Sequence, residues 1–139
     1  MADNPSRNAR VHGLGGVFFK AEDPERLTAW YAEHLGIGTA GWGGEIFPWK
    51  RSDSGTDACT VWSPFKASTE YFQPSGKDFM LNYRVDDLAA TLAALRAEGC
   101  NVLDRYDETE QGKFGYVLDP EGNLLELWEQ SPDDPSASA

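Results

Sequence analysis

Few side chains in this 139-residue chain have the type and placement to do chemistry, and one acid stands out. Glu126 lies between Leu125 and Leu127 in NLLELWE, a run that reads as a β-strand. A carboxylate on the inner face of such a strand is costly to bury unless it is hydrogen-bonded or faces a ligand. Placed there it could act as a general base, which makes Glu126 the one candidate catalytic residue. The other motif classes are empty. No GxSxG elbow is present, and neither Cys59 nor Cys100 has CxxC or Cys/His spacing. Gly13-Leu14-Gly15-Gly16 precedes a strand rather than a helix, so it is not a nucleotide-phosphate loop. His34 falls on a helix, and the acidic run 104–110 (DRYDETE) reads as a solvated loop.

The elements that must position Glu126 come from an internal repeat. Residues 17–37 and 81–102 superpose with an offset of 64, pairing Phe19 with Tyr83, Lys20 with Arg84, and Glu22-Asp23 with Asp86-Asp87. Each copy reads as strand, acidic turn, helix and glycine stop. Asp23 is an N-cap with Pro24 at the first helical position. Leu27, Trp30, Tyr31, His34 and Leu35 follow at helical spacing before Gly36. In the second copy Asp86 or Asp87 caps, Leu88, Leu92 and Leu95 form the apolar stripe, and Gly99 stops it. Both helices are expected to run 11–12 residues. Strands follow at 45–50, 58–62, 100–105, 113–118 and 123–129, with a further short one near 38–43 completing the first copy. The link DPEG at 119–122 fits a type I turn. The sum is α+β: a first βαβββ module at 11–66, a linker at 67–77 and a second module at 78–130. Residues 1–10 and 131–139 are small, polar and Pro-containing, and read as disordered tails.

The order Asp23-Pro24, Trp30-Tyr31, Leu35-Gly36, then Arg84-Val85-Asp86-Asp87-Leu88, then Asp119-Pro120-Glu121-Gly122-Asn123 with Glu126-Leu127 resembles the vicinal oxygen chelate superfamily. That group includes glyoxalase I, extradiol dioxygenases, and fosfomycin- and bleomycin-resistance proteins. The resemblance implies two modules whose curled mixed sheets form a cup, often in a homodimer. In the family's enzymes four inward side chains in that cup hold a divalent metal, which acts as a Lewis acid. Seven residues before the acidic helix caps, the family's first-strand ligand positions fall on Gly16 and Met80 here. Glycine has no side chain to offer, and a thioether is a soft ligand. On the last strands the offset of 64 puts Trp62 at the place that Glu126 holds in the second copy. His12 shares strand parity with Gly16 but lies about 13 Å along the strand, too far to substitute. Both histidines read as partly exposed. One carboxylate in four positions does not make a tight metal site, so no cofactor is expected.

Strand alternation then lists what the cup would present. Leu124 and Trp128 accompany Glu126, Asn82 accompanies Met80, Leu14 and Phe18 accompany Gly16, and Thr60 accompanies Trp62. The ligand-binding candidates are therefore Phe18, Trp62, Met80, Asn82, Leu124 and Trp128. Lys20 and Arg84, beside acidic caps, read as surface pairs.

Composition bounds the partners. Twelve Lys+Arg against 23 Asp+Glu give a formal charge of −11, which repels nucleic acid and anionic membrane surfaces. The excess is uneven: residues 11–66 hold seven acids and five bases, residues 67–130 thirteen and five. No apolar run approaches a membrane span and no secretory h-region opens the chain; with the two cysteines read as small buried hydrophobes in a reduced compartment rather than as a disulfide, a cytoplasmic protein is expected. The expectation is a glyoxalase-like or bleomycin-resistance-like protein that binds a small hydrophobic or aromatic molecule without a tightly bound metal. Two alternatives stand beside it. One is a lyase, isomerase or dioxygenase using Ni, Zn, Mn or Fe, with Glu126 as one ligand. The other is an interaction protein whose cup is filled by its own side chains.

Overall fold

The computed structural model describes residues 10–132, and two aspartates start the two helices among them. Asp23 caps α1, Pro24–Leu35, by accepting from Arg26 N at 3.1 Å, and Pro24 stands where no N–H is needed. Asp87 caps α2, Leu88–Ala97, in the same way through Ala90 N at 3.0 Å. Beyond each helix a glycine takes the left-handed conformation, Gly36 at φ 70° and Gly99 at φ 81°. α2 has ten residues, shorter than the sequence pattern predicts, because Glu98 already acts as its cap.

The strands are β1 (Val11–Ala21), β2 (Glu45–Lys50), β3 (Asp57–Lys66), β4 (Phe79–Val85), β5 (Asn101–Thr109), β6 (Gly112–Leu118) and β7 (Leu124–Gln130). They form one curled, unclosed mixed sheet in the order β2-β3-β1-β4-β7-β6-β5. The fold is α+β, as expected. At its centre β1 and β4 run antiparallel with Val17 opposite Leu81, two residues related by the repeat offset. Each has a parallel neighbour, β3 beside β1 and β7 beside β4. The duplication is therefore visible as a pseudo-twofold through the sheet centre. The turn at 119–122 also forms, with Gly122 N donating to Asp119 O at 3.0 Å.

Several expectations need correction. No strand forms at 38–43: Gly38, Gly41 and Gly43 all have positive φ, which cannot sustain a ladder, so the first half is βαββ. Residues 104–109 are not a loop but the outer part of β5. Its charged residues alternate, with Asp104 and Glu108 exposed and Arg105 and Asp107 half-buried, as suits an edge strand. At the ends, Arg10 pairs with Glu98 and Ser131 N donates to Gln111 O at 2.9 Å, so these residues are tied down. The rest of both expected tails, 1–9 and 133–139, lies outside the described residues.

The sheet buries side chains on both faces. Leu88 and Leu92 of α2 pack with Val85, Val117 and Leu127 of the sheet, and Gly115 lets the helix approach β6 because a Cβ there would collide with Leu92. On the cup face Phe72, Met80, Tyr116 and Leu124 close one end. α1 buries no residue of its own, and Trp30 and Leu35 remain 51% and 58% exposed. Cys59 is buried, where its Sγ accepts from Arg84 Nη1 and Gln130 Nε2 at 3.9 Å, and Cys100 is exposed, so only the first behaves as the small core residue expected of both; the two form no disulfide.

Candidate functional site

One row of residues crosses the sheet at its centre. Gly16 stands opposite Val61 on one side and Asn82 on the other, Asn82 opposite Glu126, and Glu126 opposite Tyr116. Directly paired residues share a face, so the row lies on the floor of the cup. Glu126 is 2% exposed. Its Oε1 accepts from Asn82 Nδ2 at 2.7 Å, and its Oε2 accepts from the hydroxyls of Tyr71 at 2.5 Å and Tyr116 at 2.8 Å. Three protein donors therefore answer the cost of burying this carboxylate. The two hydroxyls lie 2.9 Å apart, and Tyr116 also reaches Asp107 Oδ2 at 2.9 Å. Burial first, and the Glu126 charge second, raise both tyrosines above their ordinary value, so they stay donors. Arg105 lies over both rings, its guanidinium carbon 4.0 Å from the centroid of Tyr116 and 4.4 Å from that of Tyr71.

Beside this network is a cavity of 390 Å³. Phe18, Ile46, Val61 and Phe65 form its wall from the first half of the chain, with half-exposed Trp42 also lining it. Asn82, Phe114, Glu126 and Trp128 line it from the second half, with Tyr71 from the connecting segment and Gln111 from the β5–β6 turn. The Phe114 and Trp128 rings stack at 5.8 Å with planes 11° apart, and Trp128 Nε1 donates to Gln111 O at 3.0 Å. Glu126 is the one charged side chain among these lining residues.

Of the sequence candidates, the structure brings Phe18, Asn82, Glu126 and Trp128 together around this cavity. Met80 and Leu124 are on the same face but fully buried against Phe72 and Tyr116. Trp62 is elsewhere. Val17 pairs with Trp62 but Leu81 pairs with Leu125, so the last strands are offset by 63 rather than 64. A slip of one residue turns a strand side chain to the opposite face. Trp62 accordingly packs on Tyr31 at 4.8 Å and Phe19 at 5.5 Å under α1, and Ser63 stands where Glu126 stands in the second half. A β-bulge at Gly15 does the same to Leu14, which pairs with Tyr83 on the helix face. Arg84 is not a surface pair either. It is 6% exposed, with its guanidinium 5.1 Å from Trp128 and 5.8 Å from Trp49. His12 has a side chain only 9% exposed, with Nε2 3.5 Å from Asp86 Oδ1; burial, then Arg51, lowers its pKa. His34 is on α1 against Trp30, away from the cup.

Tyr71 fell in the expected linker, where no pattern marks a site residue. Tyr116 and Phe114 alternate within KFGYVL and could have been added to the inward list by the same parity that gave Trp128.

The residues do not fit a metal centre. Gly16 has no ligand atom, Met80 is enclosed by apolar neighbours, and Glu126 is held by three donors. Among the described residues no group of three His, Cys, Asp or Glu side chains is placed to hold an ion.

Curled βαβ-type halves paired about a central antiparallel ladder, enclosing a cup, define a member of the vicinal oxygen chelate superfamily. The Glyoxalase-like domain family model matches residues 16–128, and the chain belongs to that family. No curated protein matches it in sequence. Among solved structures, methylmalonyl-CoA epimerase from Mycobacterium tuberculosis is 22% identical, with a TM-score of 0.56 over 89% of this chain and 91% of that one. A variant of the Streptomyces coelicolor methylmalonyl-CoA epimerase, in complex with 2-nitronate-propionyl-CoA, is 15% identical at TM-score 0.60, covering 89% and 98%. A Legionella pneumophila protein described as an NAD-dependent benzaldehyde dehydrogenase is 14% identical at TM-score 0.52, covering 84% and 98%. At these identities the likeness is one of fold. No helix among the described residues is long and apolar enough to cross a membrane.

Proposed function

We propose that this protein binds a small, neutral aromatic or apolar molecule in its cup without a tightly held metal ion. The observation that carries this is the state of Glu126. Its two oxygens are engaged by Asn82, Tyr71 and Tyr116, and the cavity beside it is otherwise walled mainly by rings and aliphatic side chains. Such a pocket favours a planar body and offers few polar contacts to orient it. The epimerase neighbours are seen with CoA esters. A CoA ester carries phosphates, and the cavity wall described here offers them no cation. In this reading Glu126 orders its polar neighbours rather than acting as a base. The partner is the small molecule alone, not nucleic acid or membrane, in a cytoplasmic protein. A homodimer is part of the proposal, supported by the half-exposed Trp30 and Leu35 on α1, and sedimentation tests it.

Trp42 and Trp128 both line the cavity, so tryptophan fluorescence reads occupancy directly. Titrating the protein in EDTA with a panel of bicyclic aromatics should give saturable quenching for part of the panel. Absence of any response, together with catalysis or stabilisation that depends on added Ni, Zn, Mn or Fe, would establish the metal-dependent alternative instead.

A further inference from the structure

Four of the five tryptophans are engaged by the protein itself. Trp30 packs on Tyr31, Trp62 on Tyr31 and Phe19, and Trp128 on Phe114, while Trp49 donates to Thr60 Oγ1 at 2.8 Å. Trp42 differs. Among the described residues its ring meets no other ring or cation, and its Nε1 meets no acceptor. Yet it lines the cavity, and it does so while 52% exposed, which places it at the mouth. A half-wetted indole there is a large apolar surface still available for burial.

The backbone on both sides leaves that ring free to turn. Gly41 and Gly43 flank it at φ 87° and 94°, and neither position has a neighbour within 4 Å of where a Cβ would stand. The ring rests on Gly44, where a Cβ would fall 2.6 Å from its outer carbons. At the base of the loop Gly38 N donates to Glu45 Oε1 at 2.8 Å, so movement is confined to the residues between. Phe114 on β6 and Trp128 on β7 line the same cavity from the other half of the sheet, as a stacked pair.

We infer that Trp42 is a lid residue: its loop turns on Gly41 and Gly43 to lay the indole over a flat occupant of the cup. The inference rests on the proposed reading of the cup as a metal-free aromatic pocket, and it adds how that pocket closes. In the empty cup the ring has water and Gly44 for neighbours and gains no aromatic contact by turning inward. An occupant supplies the missing contact, so it binds the closed arrangement more tightly than the open one and shifts the loop toward it. Closure covers the occupant's outer face and the lid ring together.

The test uses the full chain labelled with 5-fluorotryptophan, with indole as the probe. Trp42→Phe identifies the Trp42 fluorine line by its loss, and isothermal titration reports binding independently. On saturation with indole the Trp42 line should move, and its H2O/D2O isotope shift, which reads contact with water, should fall. Trp42→Ala should weaken indole about tenfold, chiefly through faster dissociation, and Trp42→Phe should weaken it less. Without indole, Trp42→Ala should melt close to the wild-type temperature, because the ring has no protein ring or acceptor to lose. A large drop there would mark a structural role and overturn the lid. Indole that binds with the Trp42 line unmoved, or as tightly to Trp42→Ala as to wild type, overturns the lid and leaves the aromatic pocket standing. Failure of indole and of the wider aromatic panel to bind overturns the pocket reading and the lid with it.

Discussion

In the first half of the chain α1 lies on its strands with no buried side chain, whereas in the second α2 sinks Leu88, Thr91 and Leu92 into the sheet. The helices begin with the same aspartate cap and end before the same left-handed glycine. They differ in what lies between: PERLTAWYAEHL is polar and bulky, LAATLAALRA small and apolar. The cup face shows the complementary contrast. The first half contributes Phe18, Ile46, Val61 and Phe65, a wall with no charge, while the second contributes Asn82, Tyr116 and Glu126. Duplication has thus been followed by division of labour. One copy anchors the fold and holds the polar floor, and the other supplies apolar surface around it.

Breaking each half in turn should show this asymmetry. Leu88→Ala should cost about 2–5 kcal/mol, because Leu88, the first residue of α2, is fully buried against the sheet. Trp30→Ala on the exposed face of α1 should cost less than about 1 kcal/mol. Equal losses in urea denaturation would erase the distinction. On the cup face, Tyr116→Phe removes the single proton this hydroxyl donates, which Glu126 and Asp107 both stand to accept, and should cost about 1–3 kcal/mol. Ser63→Ala, at the matching place of Glu126 in the first half, should change stability by less than about 0.5 kcal/mol.

Two pH measurements sharpen the comparison further. Tyr71 and Tyr116 have folded pKa values above the ordinary 10.0, so their contribution is complete below pH 10 and is lost as the pH climbs beyond it. Wild-type stability should therefore fall more steeply above pH 10 than that of the double Phe variant, with a late tyrosinate absorbance step that the variant lacks. His12 behaves in the opposite sense and more weakly. Its folded pKa lies below the ordinary 6.5, so the unfolded chain binds the proton first and stability falls as pH drops through 6.5. His12→Asn should flatten that acid limb, and an unchanged slope would remove the assigned cause.

Much of this was legible in the residues. Caps, glycine stops and the offset of 64 located both helices and the strand before each, since these depend on local chemistry. Trp128 followed by strand parity once Glu126 was placed inward, and Asn82 and Phe18 followed in the same way from Met80 and Gly16, the positions the family resemblance supplied. Trp62 did not, because alternation has no memory of a one-residue change between two distant strands. Tyr71 sits in a segment without periodicity and reaches Glu126 only through the tertiary fold. Asp107 and Arg105 were hidden by a run of charge that resembles a loop until its edge-strand alternation is seen. The missing fourth strand of the first half was obscured by the repeat itself, which invited a symmetry that the glycines at 38, 41 and 43 prevent.

The central claim is that the cup takes a neutral aromatic ligand and not a metal. Calorimetric melting of the wild-type protein tests it in one experiment, run in EDTA, with each of Ni, Zn, Mn and Fe, and with a bicyclic aromatic compound such as indole. The account predicts a higher Tm with the aromatic compound in EDTA, corresponding to about 2.7 kcal/mol at a hundredfold excess over Kd, and no change with any metal. A Tm raised by a metal, reversed by EDTA and indifferent to the aromatic compounds would contradict it.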